Sequence, residues 1–142
     1  MKVRELMTPN VIRIRPEEPV AVAARNLTHY NIGMLPVCGS DGKLRGVVTD
    51  RDIVTRCLAA GRSPEETTVG QIMTSQVHSV EPNTEASLAA SMMGKQQIRR
   101  LPVVEAGRLC GMLSLGDLAG NPDSAYDATD ALTEITSNLS SR

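Results

Sequence analysis

The feature that most constrains this chain is an internal repeat, because a duplicated sequence is expected to fold as two copies of one unit. At an offset of 66, 11 of the 36 residue pairs between residues 3–38 and 69–104 are identical in the 142-residue sequence. One deletion then shortens the offset to 65, and Gly46-Val-Val-Thr49 aligns with Gly111-Met-Leu-Ser114. Copies of about 60 residues are too short to bury a sheet comfortably alone, so we expect them to pack face to face as one pseudo-twofold module.

Both copies predict the same order of elements: helix, strand, helix, strand, strand, helix. A short helical turn ends near Met7 or Met73, and the central helix of each copy has apolar residues at positions i, i+3, i+4 and i+7. The predicted strands are Val11–Ile14, Leu35–Cys38 and Leu44–Val48, and then Val77–Val80, Leu101–Val104 and Leu109–Leu113. The expected fold class is therefore α/β (α+β), with a small sheet packed against helices in each copy.

The repeat divides the chain into residues 1–62, residues 67–121 and a C-terminal helix or tail, residues 122–142. This last segment opens at Pro122-Asp-Ser124 and predicts an acidic amphipathic helix. Its predicted apolar stripe is Ala128, Leu132, Ile135 and Leu139, and its acidic residues Asp127, Asp130 and Glu134 lie away from that stripe. Such a helix would pack on its own module, reach a second copy in a dimer, or dock on a target protein.

Composition excludes several function classes. The chain has no Phe or Trp and only Tyr30 and Tyr126, which argues against aromatic cages and base-stacking platforms. With a net charge of −1, no global field recruits nucleic acid or an anionic membrane. No apolar run is long enough to span a membrane, and no signal-type segment follows the N-terminus. The odd number of widely spaced cysteines favours reduced thiols and a cytoplasmic protein.

The strongest chemical signature is the strand-to-helix junction that ends each copy. It places a hydroxyl (Thr49 or Ser114) three residues before a carboxylate (Asp52 or Asp117). Free N–H groups at a helix N-terminus can hold a phosphate, the hydroxyl adds a donor, and the carboxylate can accept from both ribose hydroxyls. Arg51 could pair with a phosphate. The same spacing also suits a capping box, a purely structural device, so both interpretations stay open.

Taken together, these motifs resemble a tandem pair of cystathionine-β-synthase (CBS) domains, the Bateman module, over about residues 1–120. The resemblance rests on two Val-x-x-hydrophobic-Met-Thr openings, two Leu-Pro-Val strands and two Gly-hydrophobic-hydrophobic-Thr/Ser-x-x-Asp closings, all in register. It implies a cleft between the repeats that binds an adenosine ligand such as AMP, ADP, ATP, NAD or S-adenosylmethionine. It also implies a homodimer of modules.

The resemblance further implies roles for individual residues. Asp52 and Asp117 would bind ribose hydroxyls, Thr49 and Ser114 would lie near phosphates, and Thr8 and Thr74 would lie at the rim. Adenine would be held by aliphatic walls drawn from Val11, Met34, Pro36, Val77 and Pro102. If Arg51 and Arg100 point into the clefts, the two sites differ in how they compensate the phosphate charge and should differ in affinity. Alternatively, Arg99-Arg100 is a solvated pair.

Other chemistry is weakly supported. His29, His78, Cys38, Cys57 and Cys110 show no metal-ligand spacing, and Cys38 and Cys110 lie on strands predicted to be buried. No general acid/base pair or activated thiol stands out. We therefore expect a stand-alone adenosine-nucleotide sensor that binds no metal and has no enzyme activity, with partners limited to the nucleotide, a second copy and an unknown protein target. The alternative is a dimerisation or interaction module that binds no ligand.

Overall fold

The computed structural model describes residues 1–140, with side chains described up to residue 137. In chain order the helices are α1 (Val20–Tyr30), α2 (Asp50–Asp52), α3 (Val69–Ile72), α4 (Ala86–Gln96), α5 (Leu115–Ala119) and α6 (Ala125–Ser140). The strands are β1 (Thr8–Pro9), β2 (Met34–Cys38), β3 (Leu44–Thr49), β4 (Arg100–Glu105) and β5 (Arg108–Ser114). A 3₁₀ turn at Val3–Glu5 opens the chain, and a π-helical segment, Ile53–Leu58, continues α2. This mixture of small sheets and helices is the predicted fold class.

The elements form two compact units, each with its own core. Unit 1 contains Met1–Val11, His78–Ala106 and the chain from Cys110 onward, and unit 2 contains Ile12–Val77 and Gly107–Leu109. Each unit thus combines most of one copy with the opening segment of the other. The predicted boundaries, 1–62 and 67–121, follow the sequence duplication and stay a prediction.

Unit 2 is built on the antiparallel pair β2–β3, in which Leu35 lies opposite Val48. Helix α1 packs on this pair, starting after Pro19 and ending at Asn31, whose left-handed φ of 54° closes the helix. The buried core residues of unit 2 are Ile14, Val20, Ala23, Leu27, Leu35, Val37, Val48, Ile53, Cys57, Val69 and Ile72. Its core therefore consists of aliphatic and small side chains, as the composition requires.

Unit 1 contains a three-stranded sheet in the order β1-β5-β4. Thr8 pairs with Met112 across the antiparallel β1–β5 ladder, so the opening segment of the chain completes a sheet built from the second copy. Helix α4 ends at Gln97, whose left-handed φ of 61° repeats the geometry of Asn31 in unit 2. The duplication thus extends to helix termination.

The C-terminal helix α6 packs within unit 1, against α4 and α5. Its buried residues are Ala128, Ala131 and Ile135, whereas Leu132 is 43% exposed. The predicted stripe was therefore wrong at Leu132: the small Ala131 lets the helix approach Gly94 of α4 closely, which turns Leu132 outward. The side chain of Leu139 lies outside the described residues.

The predicted first strands, Val11–Ile14 and Val77–Val80, are also corrected. Each contributes one parallel bridge, from Ile14 to Val37 in unit 2 and from Val80 to Val103 in unit 1, and is otherwise extended chain. Proline follows two residues after each bridge, at Pro16 or Pro82, and cannot donate to a sheet ladder. The β-branched composition thus correctly predicted extended backbone, but the prediction of a strand was wrong.

Candidate functional site

In unit 2 the junction between β3 and α2 forms a reciprocal capping box. Thr49 Oγ1 accepts a hydrogen bond from the Asp52 N–H at 3.1 Å, and Asp52 Oδ2 accepts one from the Thr49 N–H, also at 3.1 Å. The residue types predicted for a nucleotide are therefore also those that close the first turn of the helix. The capping bond itself uses only Oδ2 of the carboxylate.

Further contacts surround the Asp52 carboxylate, which is only 6% exposed. The Thr74 hydroxyl lies 3.2 Å from Oδ1 and 3.3 Å from Oδ2, and Arg56 Nε lies 3.8 Å from Oδ1. The Arg56 guanidinium also donates to the carbonyl oxygens of Ile72 and Met73, at 3.3 and 3.1 Å. Asp52 therefore has a full set of partners from unit 2 itself.

In unit 1 the same motif has fewer contacts. Ser114 Oγ accepts from the Asp117 N–H at 3.0 Å, and Asp117 Oδ2 accepts from the Ser114 N–H at 2.8 Å, so the capping box is repeated. Asp117 is half-buried, and no other hydrogen bond to its carboxylate is formed by the described residues of unit 1. Oδ1 of Asp117 is thus open to an external donor.

The helix N-termini offer fewer N–H groups than the sequence suggested. The Asp50 N–H donates to the Gly33 carbonyl at 3.4 Å, and the Leu115 N–H donates to the Arg99 carbonyl at 2.8 Å. Together with the capping bonds, these contacts use the first and third N–H groups of α2 and α5. The expectation of free N–H groups for a phosphate was therefore wrong at these positions, because a loop carbonyl satisfies the first N–H and the capping hydroxyl satisfies the third.

The glycine of each closing motif has a structural reason. A Cβ on Gly46 would clash with the Thr74 carbonyl oxygen, and a Cβ on Gly111 would clash with that of Thr8. The strands β3 and β5 thus approach these opening segments at distances that only glycine allows. As a result, Thr74 lies in unit 2 with Thr49 and Asp52, while Thr8 lies in unit 1 with Ser114 and Asp117.

The remaining predicted residues divide between the units in the same way. Val11, Arg100 and Pro102 join Thr8, Ser114 and Asp117 in unit 1, and Met34, Pro36, Arg51 and Val77 join Thr49, Asp52 and Thr74 in unit 2. Pro36 and Pro102 are buried, and the other aliphatic members are half-buried. Arg51 and Arg100 are exposed. Each unit thus holds one copy of the predicted set.

Sequence reasoning assigned no site role to four residues, Arg56, Arg99, Thr129 and Leu132. Arg56 contacts Asp52 through a spacing of four residues, a typical helical pair that its i, i+4 position could have indicated. Arg99 joins Arg100 at an open cavity of unit 1 with a volume of about 550 Å³. Thr129 and Leu132 of α6 also line this cavity, and no motif in the sequence pointed to them.

The residues considered for metal or thiol chemistry are dispersed. Among residues 1–137, no group of three or more His, Cys, Asp or Glu side chains is placed to hold a metal ion. Burial raises the pKa of the Cys38 thiol, and the nearby Arg13 and Arg45 only partly oppose this effect, so Cys38 stays protonated at neutral pH. Cys110, predicted to be buried, is only partly so, since β5 alternates its side chains between two faces.

The sequence matches the CBS domain family twice, over residues 3–59 and 69–122. Among curated proteins it is 39% identical to the CBS domain-containing protein YhcV of Bacillus subtilis, with 94% of each chain covered. It is 35% identical to hypoxic response protein 1 of Mycobacterium tuberculosis, covering 82% of this chain and 81% of that protein.

Solved structures give the same result. A structure of Hypoxic Response Protein I with two coordinated zinc ions superposes with a TM-score of 0.79 at 34% identity, covering 85% of this chain and 98% of that one. A structure of CBSX2 in complex with AMP superposes with a TM-score of 0.72 at 31% identity, covering 82% and 91%. Within the described part of the chain, no helix combines the length and hydropathy needed to cross a membrane.

Proposed function

Because this chain belongs to the CBS-domain family and carries two copies of the domain, we propose that it is a regulatory module that binds an adenosine nucleotide. AMP, ADP and ATP are the first candidates, with NAD and S-adenosylmethionine as further ones. The module signals the level of its ligand and performs no catalysis. The proposal extends to a cytoplasmic homodimer with a protein target still to be identified.

The observation that carries the proposal is the pairing of a hydroxyl and a carboxylate at one junction in each unit. In unit 1 the capping box uses only Oδ2 of Asp117, which leaves Oδ1 to accept from a ribose hydroxyl. The Ser114 hydroxyl accepts from the Asp117 N–H and can still donate its own proton to a phosphate oxygen. Binding of AMP by the structural relative CBSX2 supports this choice of ligand.

Calorimetric titration of the purified chain with AMP, ATP and NAD tests the proposal. We expect saturable binding of at least one ligand and binding at least about tenfold weaker in Asp117→Asn, because a carboxylate can accept from both ribose hydroxyls. Asparagine keeps an oxygen for the capping bond, so this variant should stay folded. Asp123→Asn, at an exposed site of unit 1, is the matched control. Absence of heat with every ligand on folded protein would refute the proposal.

A second candidate function is an interaction module without a ligand. It is favoured by Asp52, whose carboxylate is fully partnered by Thr49, Thr74 and Arg56. In that case the two motifs serve only to cap helices, and nucleotides would leave the melting temperature of the chain and of its Asp117→Asn variant unchanged. A nucleotide-dependent rise in melting temperature that Asp117→Asn abolishes would reject this candidate.

The homodimer is tested separately, by light scattering of the chain as it elutes from a sizing column. One structural relative, a CBS-CP12 protein from bloom-forming cyanobacteria, is described as hexameric, covering 89% of this chain at 29% identity with a TM-score of 0.72. Self-association of CBS proteins is therefore supported, whereas the dimer is our proposal. A monomeric mass across micromolar concentrations would contradict it.

A further inference from the structure

A cavity along helix α4 of unit 1 contains none of the residues that the nucleotide proposal uses. Its volume is about 500 Å³, within the range of about 300–1,000 Å³ found for small-molecule sites. One wall is a face of α4, on which the lining residues repeat at helical spacing: Leu88, Ser91, Met92, Lys95 and Gln96. The other wall is formed by residues 79–81 together with Thr84.

The wall opposite α4 is fixed by hydrogen bonds within unit 1. Thr84 closes a turn, since its N–H donates to the Glu81 carbonyl at 3.1 Å and its Oγ1 accepts from the Glu81 N–H at 3.3 Å. The opening segment of the chain holds this turn in place, because the Arg4 N–H donates to the Pro82 carbonyl at 2.9 Å. The cavity is therefore formed before any ligand binds, which lowers the entropic cost of binding.

Two opposite charges line the cavity without contacting each other. Glu81 and Lys95 are both exposed, and among the side chains that the structure describes neither charged group has an ion-pair or hydrogen-bond partner. A gap therefore separates the carboxylate from the ammonium. A ligand that carries both an ammonium and a carboxylate fits such a gap, because each of its charges can pair with the opposite charge of the protein.

Helix α4 also supplies apolar surface to the cavity. Leu88 is 62% exposed and Met92 is half-buried, so both leave side-chain surface available to a ligand. Burial of this surface by an apolar group of a ligand is favourable. The cavity thus combines a carboxylate, an ammonium and an apolar contact.

The duplication does not account for this combination. At the aligned positions, 66 residues earlier, unit 2 has Arg15 instead of Glu81, which reverses the charge. It has Val22 instead of Leu88, and this valine is half-buried. The opposite charges beside an exposed leucine are therefore particular to unit 1, and the fold that the two copies share does not require them.

We propose that this cavity binds a small zwitterion with an apolar side chain, namely an apolar amino acid or dipeptide. Glu81 binds the ammonium of the ligand, Lys95 binds its carboxylate, and Leu88 and Met92 contact its side chain. The inference goes beyond the proposed function, because it gives the module a second ligand of a different chemical class at residues that the nucleotide does not use.

Titration of the full ¹⁵N-labelled chain with leucine and with leucyl-leucine, followed by amide NMR, tests the proposal. At least one of the two should shift the amides of Glu81, Leu88 and Lys95 saturably, and the tighter ligand shows whether the gap between the charges suits an amino acid or a dipeptide. Glycine, which lacks the apolar side chain, should bind at least about threefold more weakly than leucine. Absence of a saturable shift with both leucine and leucyl-leucine would overturn the proposal.

Variants of the two charged residues test their roles. Glu81→Gln and Lys95→Gln should each weaken binding of the zwitterion at least about tenfold, because each removes a charge-assisted hydrogen bond. Both side chains are exposed and lose no partner within the protein, so the variants should fold as the wild type does. Glu105→Gln, at an exposed carboxylate of unit 1, is the matched control and should leave binding unchanged. Unchanged binding in either charge variant would contradict the proposal.

Ligand analogues identify the charge that each residue contacts. N-Acetylleucine lacks the ammonium, so Glu81→Gln should not weaken its binding further. Leucinamide lacks the carboxylate, so Lys95→Gln should not weaken its binding further. An equal loss for leucine and N-acetylleucine in Glu81→Gln would mean that the glutamate does not bind the ammonium, and the assignment would fail.

The nucleotide proposal is tested independently of this one. Asp117→Asn should leave zwitterion binding unchanged, and Glu81→Gln should leave AMP binding unchanged, because the two sets of residues do not overlap. If AMP binds and neither leucine nor leucyl-leucine does, only the zwitterion proposal fails. If a zwitterion binds and no nucleotide does, only the nucleotide proposal fails.

Discussion

The same closing motif occurs in both units, yet its carboxylate has different surroundings in each. In unit 2 Asp52 is 6% exposed and contacts Thr74 and Arg56 in addition to its cap. In unit 1 Asp117 is half-buried and makes only the capping bonds with Ser114 among the described residues. A duplicated motif therefore duplicates the helix cap reliably, while the capacity to bind a ligand depends on what the rest of each unit supplies.

The difference begins just after the motif. In the first copy the chain continues from α2 into a π-helical segment, where Arg56 lies one turn beyond Asp52. At the aligned position, 65 residues later, the second copy has Asn121, whose Oδ1 accepts from the Asp123 N–H in the turn that leads into α6. At this position unit 2 therefore has an arginine that contacts the carboxylate, whereas unit 1 has a turn that leads into α6.

Glycine substitutions should have the largest effect and should affect both units equally. A Cβ at Gly46 or Gly111 would clash with the carbonyl oxygen of Thr74 or Thr8, which belongs to backbone that is itself paired. We expect Gly46→Ala and Gly111→Ala each to lower the free energy of unfolding by about 2–3 kcal/mol, measured by urea denaturation. Gly116→Ala, whose Cβ would have ordinary contacts, is the control and should not destabilise. Unequal losses at Gly46 and Gly111 would show that β3 and β5 do not depend equally on their close approach to the opening segments.

Removing each carboxylate should distinguish the units. Asp52→Ala and Asp117→Ala both lose the hydrogen bond that the carboxylate accepts from the Thr49 or Ser114 N–H, which contributes about 0.5–1.5 kcal/mol. Asp52→Ala also loses the Thr74 bond at a buried position, so we expect it to cost about 1 kcal/mol more than Asp117→Ala. Urea denaturation without nucleotide measures both values. Equal losses would show that the extra contacts of Asp52 contribute nothing to stability.

Much of the fold could be predicted from the sequence because both copies carry the same local signals for helices and strands. The apolar spacing of α1 and α4 and the Leu-Pro-Val strands predicted the elements to within a few residues. Assignment of the opening segments to units could not be predicted in this way. Pairing of Thr8 with Met112 joins residues about a hundred positions apart, and no local pattern encodes a partner at that distance.

For the candidate site, the sequence predicted which residue types matter but not their partners. The hydroxyl and the carboxylate at each junction contact each other as their spacing of three residues predicts, because a capping box is a local structure. The Thr74 contact of Asp52 and the wall that α6 forms beside Arg99 depend on packing between distant segments. These contacts follow from the fold, which is why the asymmetry of the units emerges only from the structure.

Arginine 56 provides a smaller test of the comparison. Its side chain is 51% exposed, so the ion pair with Asp52 is screened by solvent, and its remaining contacts are two carbonyl oxygens. We expect Arg56→Gln to lower the free energy of unfolding by at most about 1 kcal/mol, with the loss reduced at high salt. Arg51→Gln, an exposed neighbour, is the matched control and should change nothing. A loss as large as that of Asp52→Ala would make Arg56 the main partner of the carboxylate.

The smallest effects should come from two exposed carboxylates, one in each unit, whose pKa values are lowered for different reasons. The side-chain bond from Lys2 is the main cause that lowers the pKa of Glu85 below its ordinary 4.5. At Asp41 the main cause is the backbone N–H of Lys43, and Arg45 contributes less. Carboxyl ¹³C NMR titration should therefore show the pKa of Glu85 rising toward 4.5 in Lys2→Gln, whereas that of Asp41 should stay lowered in Arg45→Gln.

The sign of the accompanying stability change follows from the direction of these shifts. Because the folded-state pKa of Glu85 is lowered, its contribution to stability is present above pH 4.5 and is lost as pH falls through the lowered value. Lys2→Gln should reduce this acid-dependent loss in unit 1, where the N-terminal ammonium still bonds Glu85. Arg45→Gln should leave most of it in unit 2, because a backbone donor persists when a side chain is replaced. An equal rise of both pKa values would mean that side-chain charge, rather than the turn at Lys43, holds Asp41 ionised.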